Sequence, residues 1–233
     1  MRVAIKYKRV VISLGGSVIY NHNGINLPYL SETVEMIRRS DLGFLYVVGG
    51  GNVARDYIKA ARDYGIDKQG QDMIGIEATR INALLFALML AKNGISSEAV
   101  RNIFEVHPYF LRQYQVIVTG GTIPGHTTDR VAVQCAARFG CDFMINVTEV
   151  GGVYDQDPRI CPQANIVKKV KGSDLIQRWG LDHRPGLNLP IEPRAIQEAK
   201  EKMIKIYVIG PSIEDLEKVI EGRGHNGTLV LPE

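Results

Sequence analysis

The sequence has little of what marks several large classes of protein. Only three of its 233 residues are cysteines, Cys135, Cys141 and Cys161, and no two of them have the spacing of a metal site. This favours reduced, structural thiols over a disulfide framework. No run of 18 apolar residues occurs, so we expect no transmembrane segment. Residues 1–10 lack the apolar stretch of a signal peptide, and we therefore expect a cytoplasmic protein.

No strong charge of either sign is present. The chain has 28 basic and 25 acidic residues, which gives a formal net charge of +3. The longest basic cluster, KKVK at 168–171, is short, whereas a nucleic-acid-binding surface usually has a basic stripe. We therefore expect no nucleic-acid partner. With 45% hydrophobic residues, the chain can bury the core of one domain.

Neither of two common nucleotide-binding fingerprints is present in its usual structural context. GxxxxGK[ST] does not occur in the chain, and the one GxGxxG match, at 222–227, lies between a predicted helix and a predicted strand and does not open a helix after a strand. A P-loop, a Rossmann dinucleotide site and a dehydrogenase of the Rossmann type are therefore disfavoured.

What the sequence does have is an alternation of short apolar runs and helical patterns. The predicted strands are 10–14, 44–48, 116–118, 143–147, 204–209 and 228–231. The predicted helices are 29–40, with Ser31 as a possible cap, 53–64, 74–92, 129–139 and 213–220. The proline-rich residues 180–195 predict a loop. Such alternation predicts an α/β protein whose sheet is parallel and covered on both faces.

Three of the predicted strands end in a glycine turn. The turns are Gly15-Gly16-Ser17, Gly49-Gly50-Gly51 and Thr119-Gly120-Gly121. Ligands of open parallel sheets bind at the carboxyl ends of the strands, and glycine lets backbone N–H groups approach phosphate oxygens. One such turn is weak evidence, but three at the same edge of a sheet indicate several phosphates bound together.

Polar side chains near these turns have a functional and a structural interpretation. Arg55, near the start of the helix after the second turn, is either a phosphate clamp or a surface arginine. Asp72 is either a helix cap or an acceptor for sugar hydroxyls. In the loop at 122–129, hydroxyl and N–H groups suit a transferring phosphoryl group, while Thr128 or Asp129 also fits an N-cap. Asp129 is also a candidate to orient Mg²⁺ or a lysine.

Several segments match one known family in chain order. They are GGSV at 15–18, VVGGG at 47–51, DMIGI at 72–76, TRINA at 79–83, GGTIPGHTTD at 120–129, GVY at 152–154, DP at 157–158 and HNGT at 225–228. On these residues the chain resembles the archaeal-type UMP kinases of the amino-acid-kinase superfamily over nearly its whole length. The PGHTTD and DxIGIxxTRxNA segments are fairly specific within the superfamily.

The resemblance implies a fold and a reaction. The fold is a three-layer α/β/α arrangement with a central, mostly parallel sheet, of the amino-acid-kinase or carbamate-kinase-like type. Residues 1–233 would form one domain, with an acceptor-binding lobe at about 1–140 and an ATP-binding lobe at about 141–233. The reaction is phosphoryl transfer from ATP to UMP in pyrimidine nucleotide biosynthesis, with Mg²⁺ carried by the nucleotide and no metal site on the protein. The implied assembly is a homohexamer, a trimer of dimers.

The resemblance also implies roles at matching positions. ATP would contact Gly16, Ser17, Gly51, Arg55, Thr148, Tyr154 and Asp157. UMP would contact Gly50, Asp72, Thr122, Ile123, Pro124, Gly125, His126, Thr127 and Thr128. The residues expected to act at the transfer step are Arg55, Thr128 and Asp129. No nucleophilic side chain is required, because the acceptor is already an anionic phosphate.

The chain departs from the family pattern at five positions. Glu149 and Gly151 stand where the family commonly has Asn and Asp, and Ser13 stands where many superfamily members have a phosphate-binding lysine. Glu192 replaces an Asp, and Gln197 replaces a helical lysine. These changes leave two alternatives open. One is a related small-molecule kinase, such as an isopentenyl phosphate kinase, although the polar acceptor segments disfavour it. The other is a non-catalytic nucleotide-binding or oxyanion-storing protein.

Overall fold

A computed structural model of the chain describes residues 9–158, 160–181 and 189–233. The strands in these ranges are β1 Arg9–Leu14, β2 Tyr20–Asn21, β3 Gly24–Ile25, β4 Gly43–Val48, β5 Ser97–Val100, β6 Val116–Thr119, β7 Phe143–Val147, β8 Lys169–Lys171, β9 Lys205–Ile209 and β10 Thr228–Leu231. The helices are α1 Gly16–Ile19, α2 Leu27–Arg38, α3 Gly51–Asp63, α4 Lys68–Lys92, α5 Pro108–Leu111, α6 Thr128–Phe139, α7 Gly172–Trp179, α8 Pro193–Glu201 and α9 Ile213–Ile220.

Eight of these strands form one sheet in the order β5-β6-β4-β1-β7-β9-β10-β8. The six strands from β5 to β9 are parallel, whereas β10 runs antiparallel to β9 and parallel to β8. Leu14 at the end of β1 is level with Val48 of β4 and Val147 of β7. The segments that follow these strands therefore start side by side at one edge of the sheet.

The sheet is covered on both faces, because successive residues of the central strands point to opposite faces and both sets are largely apolar. Ile12 of β1 and Tyr46 of β4 pack into one buried cluster, while Val11 of β1 packs into the other. The first cluster includes side chains of α2, α4 and α9, and the second includes side chains of α6, α7 and α8. Each fully buried aliphatic side chain stabilises the fold by about 1.5–3 kcal/mol. This confirms the predicted three-layer α/β/α architecture.

Some predicted element boundaries were wrong. The first predicted helix begins at Leu27 and is capped by Asn26, whose side chain accepts from Tyr29 N, so Ser31 is not its cap. The helix predicted at 74–92 begins at Lys68 and is capped by Asp67. Its first turn is polar, so the spacing of apolar residues does not reveal it. The predicted loop at 180–195 includes the start of α8, while 182–188 lie outside the described residues.

The helix α4 is long and apolar enough to cross a membrane by length and composition alone. In the structure its Phe86 and Leu90 are fully buried against the sheet. Two of its polar side chains, Thr79 and Asn82, are also buried and hydrogen-bonded to loops after the strands. Core helices meet the same criterion of length and composition, and we interpret α4 as a core helix.

The turn after β4 lies against the turn after β1 with no room for a side chain. A Cβ atom on Gly49 would lie 2.4 Å from the backbone N and 2.8 Å from the Cα of Gly16. We predict that Gly49→Ala lowers the free energy of unfolding by about 2 kcal/mol or more, because backbone must move to relieve the overlap. Urea denaturation measures the change. Gly224→Ala is the matched control, since its Cβ would meet nothing within 4 Å. Equal unfolding midpoints for the two variants would contradict the close contact.

Candidate active site

The three glycine turns lie together, as the sequence predicts, because β6, β4 and β1 are adjacent parallel strands. A Cβ atom on Gly16 would lie 2.0 Å from Gly51 N, so the first two turns touch through their backbones. Gly51 has a φ of +63°, in the left-handed region that favours glycine. Glycine is therefore required at this contact both for space and for backbone conformation.

Helix α4 supports the second and third turns through two buried polar side chains. The Asn82 amide donates to Gly49 O at 2.9 Å and to Gly50 O at 3.3 Å. The Thr79 hydroxyl accepts from Gly121 N at 2.7 Å and donates to Ile76 O. Both residues lie in the TRINA segment, but the sequence pattern alone assigned them no role. The pattern that could have identified them is a pair of polar residues three positions apart on the apolar face of a helix.

Arg55 of α3 joins the second turn to the first. Its guanidinium donates to Ser17 Oγ at 2.7 Å and to Asn52 Oδ1 at 2.5 Å. Because Asn52 Oδ1 accepts from Arg55, the Asn52 amide nitrogen must donate to His22 Nδ1, 3.2 Å away. His22, on the β2–β3 turn, is a further residue that the sequence reasoning missed.

A cavity of about 620 Å³ begins at the first turn. It gathers six of the seven residues expected to contact ATP, namely Gly16, Ser17, Arg55, Thr148, Tyr154 and Asp157. Gly51, the seventh, lies behind Gly16 in the backbone contact described above. The sheet positions these residues, since β1 leads into Gly16 and β7 leads into Thr148. Arg178, Trp179 and Gln156 also line the cavity and were not predicted to do so.

The residues that depart from the family pattern differ in their position relative to this cavity. Glu149 lines it and is exposed, so it adds a carboxylate to the wall. Gly151 has a φ of +79°, and its N–H donates to Thr148 O, so the turn remains closed. Gln197 is exposed on α8, where its amide donates to Glu201 at 3.4 Å. Gln197 is not among the described residues that line the cavity.

The loop at 122–128 lies between α4 and α6. Asp72 holds it, because one carboxylate oxygen accepts from Gly125 N at 2.8 Å. Asp72 lies inside α4 and is not its cap. Thr127 is the N-cap of α6 and accepts from Arg130 N, so neither Thr128 nor Asp129 has that role. The exposed Ile123, Pro124 and Gly125 form the tip of the loop.

Two buried polar atoms of this loop have no hydrogen-bond partner in the described ranges, Thr122 Oγ1 and His126 Nδ1. Buried polar groups in native proteins are nearly always paired. Burial and the nearby Arg130 lower the pKa of His126, which favours a neutral ring with one donor and one acceptor nitrogen. The loop therefore has hydrogen-bonding capacity that the described residues leave unused.

Asp129 lies beneath the first glycine turn, where it connects three elements. Its carboxylate accepts from Ser13 Oγ of β1 at 2.8 Å and from Glu192 N, before α8, at 3.2 Å. Burial raises the pKa of Asp129 from 3.8 to about 6, although the two hydrogen bonds oppose the shift. Ser13, where the resemblance places a lysine in many superfamily members, thus donates a hydrogen bond to Asp129.

Glu192 connects the loop at 122–128 to the segment that borders the cavity. Its carboxylate accepts from Thr127 Oγ1 at 2.5 Å. Two residues earlier, Pro190 lines the cavity and its carbonyl accepts from the buried Asn146 of β7. The cavity and the loop are therefore parts of one site. Such a site can hold two phosphate-bearing ligands whose phosphates meet near Gly16, Ser17 and Arg55.

Comparison with known proteins identifies the family. The model of the amino acid kinase family matches residues 8–210. The chain therefore belongs to the amino acid kinase family.

Within that family, similar proteins include archaeal uridylate kinases. The uridylate kinase of Archaeoglobus fulgidus is 35% identical over 215 residues, which are 92% of this chain and 96% of that protein. The uridylate kinase of Thermoplasma volcanium is 36% identical over 217 residues, 92% of this chain and 93% of that protein. These identities confirm the resemblance to archaeal-type UMP kinases.

Solved structures share the fold. The crystal structure of the uridylate kinase from Archaeoglobus fulgidus superposes with a TM-score of 0.78 at 32% identity, covering 95% of this chain and 100% of that one. The aspartate kinase of Synechocystis has a TM-score of 0.75 at 18% identity, with 96% of this chain and 39% of that chain covered. The second likeness concerns the fold alone.

The buried carboxyl group of Asp129 predicts a measurable pH dependence of stability. Its pKa is higher in the folded chain than in the unfolded chain, so the folded state binds more protons between pH 4 and 6. The contribution of Asp129 to the free energy of unfolding is fully present below about pH 4 and is lost as pH rises through about 6, by up to about 3 kcal/mol. Asp129→Asn should not show this loss.

The measurement is urea denaturation of the wild type and of Asp129→Asn across pH 4 to 7. The difference in the free energy of unfolding, wild type minus variant, should fall over this range and then level off. Glu149→Gln is the control, because Glu149 is exposed and its replacement should leave the slope unchanged. A difference that stays constant or increases with pH would contradict the burial of the Asp129 carboxyl group.

Proposed function

We propose that the chain transfers the γ-phosphoryl group of MgATP to UMP, giving ADP and UDP. The observation that carries the proposal is the contact between Arg55 and Ser17, which joins the first and second glycine turns at the mouth of the cavity. Donor phosphates that enter from the cavity would reach this point. The identities of 35% and 36% to two archaeal uridylate kinases support UMP as the acceptor.

The donor nucleotide would occupy the cavity. Gly16, Ser17 and Gly51 would offer backbone N–H groups to its phosphates, and Arg55 would bind them with two parallel donors. Helix α3 begins at Gly51 without a side-chain cap from the described residues and without an acidic residue in its first turn. Its N-terminus therefore favours an anion. Thr148, Tyr154 and Asp157 would contact the adenosine.

The acceptor would lie on the other side of Gly16, against the loop at 122–128. The unpaired Thr122 Oγ1 and His126 Nδ1, together with Thr128 and the backbone N–H of Thr127, would hydrogen-bond its phosphate. Gly50 and Asp72 would hold the nucleoside, since one Asp72 oxygen accepts from Gly125 N and the other can accept from a sugar hydroxyl. Ile123, Pro124 and Gly125 would close over it.

In this arrangement, the protein aligns two anions and offsets the charge that develops between them. An acceptor phosphate oxygen attacks the γ-phosphorus in line with the bond to the leaving ADP, and no side chain forms a covalent intermediate. Mg²⁺ enters as part of MgATP and neutralises phosphate charge. Arg55 and the backbone N–H groups near Gly16 stabilise the transferring group, and Asp129 fixes the position of the first turn through Ser13.

The wider context of the reaction is also part of the proposal. We propose that residues up to about 140 bind mainly the acceptor and the later residues mainly the donor, in a cytoplasmic enzyme of pyrimidine nucleotide biosynthesis. Leu84 and Leu88 are exposed on α4, at 49% and 59%. A second subunit that covers them would be consistent with the expected homohexamer.

One observation favours a second candidate acceptor. An apolar groove of about 820 Å³ between α3 and α4 meets the acceptor loop at Thr122 and Pro124 and is lined by Tyr57, Met73 and Ile81. The sequence analysis disfavoured an isoprenoid acceptor for lack of apolar residues near the acceptor phosphate. Because the groove supplies them, isopentenyl phosphate belongs in the test of the proposal.

The test is ADP formation from MgATP with UMP, dUMP, CMP, AMP and isopentenyl phosphate. We expect the highest kcat/KM with UMP. A preference for isopentenyl phosphate would replace UMP with the second candidate. Binding of ATP and UMP without ADP formation would contradict a kinase and favour the non-catalytic alternative.

Arg55 provides the sharpest single-residue prediction. Arg55→Ala should lower kcat with UMP by about 100-fold or more, because the transferring group loses a charge-assisted donor near the reacting phosphorus. The fold should be intact, since Arg55 is exposed. Lys59→Ala, one turn further along the exposed side of α3, is the matched control and should leave kcat unchanged. Unchanged kinetics in Arg55→Ala would remove Arg55 from the mechanism.

A further inference from the structure

Trp179 is the only tryptophan of the chain and the last residue of α7. Part of its side chain packs on the buried cluster that includes Leu175 and Ile191. The rest lines the 620 Å³ cavity. Nothing in the family motifs assigns this residue a role. An indole that is supported on one side and borders a cavity on the other is suited to contact a ligand.

The position of Trp179 in the cavity is fixed by its neighbour. Arg178 donates from one guanidinium nitrogen to Tyr154 O at 3.1 Å and from the other to Asp155 O at 2.7 Å. The turn that receives these bonds is itself closed, because Asp155 and Asn165 exchange backbone and side-chain hydrogen bonds. The end of α7 is therefore attached to the Tyr154 turn, and the indole lies with Tyr154 along one wall.

This wall differs in composition from the part of the cavity at the first glycine turn. Around Gly16, Ser17 and Arg55, the lining offers N–H groups and a guanidinium, which suit phosphate. The lining also includes the rings of Tyr154 and Trp179 and the side chains of Gln156 and Asp157, while the Arg178 guanidinium is engaged by the carbonyl groups of the Tyr154 turn. Aromatic rings stack on any nucleobase, and amide and carboxylate groups can hydrogen-bond to the edges of a base.

We infer that Trp179 is a base-stacking residue that binds the aromatic base of the donor nucleotide in the cavity. This inference rests on the proposed function, since it assumes that the cavity takes a nucleoside triphosphate with its phosphates toward Arg55. It adds a residue that binds the donor base and also reports on binding, because the chain has no other tryptophan.

The first test needs no variant. Tryptophan fluorescence of the full chain is measured during titration with adenylyl imidodiphosphate, with tripolyphosphate and with UMP. The adenine analogue should change the emission in a saturable way. Tripolyphosphate, which has no base, and UMP, which binds elsewhere, should not. Three results would overturn the inference. They are an equal change of emission with tripolyphosphate, a change only with UMP, and no change with the adenine analogue at concentrations that inhibit turnover.

The second test separates base stacking from packing. Trp179→Leu keeps an apolar side chain on the buried cluster but removes the aromatic ring, and it should raise KM for ATP about tenfold with kcat and KM for UMP unchanged. Trp179→Phe should restore most of the affinity for ATP. An unchanged KM for ATP in Trp179→Leu, with UMP still phosphorylated, would reject the role of Trp179 while leaving the proposed function intact. Absence of ADP formation by the wild type would instead contradict the proposed function.

Discussion

The arrangement of the whole site depends on one backbone-to-backbone contact, in which the turn after β1 packs against the turn after β4. Gly16 faces Gly49 and Gly51 at distances that exclude any Cβ atom. The parallel pairing of β1 with β4 brings the two turns level. In the proposed arrangement, the contact between the turns would bring the phosphates of the two nucleotides within reach of each other. The sheet would then position both nucleotides largely through glycine backbone.

The polar groups around this contact keep it in place and set its charge. Asn82 and Thr79 of α4 hold the second and third turns from one side of the sheet, and Asp129 of α6 holds β1 through Ser13 from the other. Positive charge at the centre comes from Arg55 and from the N-terminus of α3. Asp129 brings a carboxyl group close to the same place, and burial raises its pKa toward 6. Glu192 is bonded to both Thr127 and Asp129, two residues after Pro190 of the cavity lining.

Much of this could be predicted from the sequence, and the physical reasons are clear. Buried strands and amphipathic helices have characteristic spacing, so the alternation and the three glycine turns were correct. Helix starts were less accurate, because Asn26 and Asp67 act as caps before turns with few apolar residues. The roles of His22, Glu192 and Trp179 could not be predicted. Their partners lie far along the chain, and only the folded arrangement brings them to the cavity or the loop.

The central claim is that one subunit holds a donor and an acceptor nucleotide with their phosphates meeting at the glycine turns. A dinucleotide in which adenosine and uridine are joined by five phosphates would test this most directly, because it spans both positions at once. In isothermal titration calorimetry, one molecule should bind per subunit, more tightly than ATP or UMP alone. Prior saturation with either adenylyl imidodiphosphate or UMP should weaken its binding. Competition with only one of the two nucleotides would contradict the claim, because the two sites would then not adjoin.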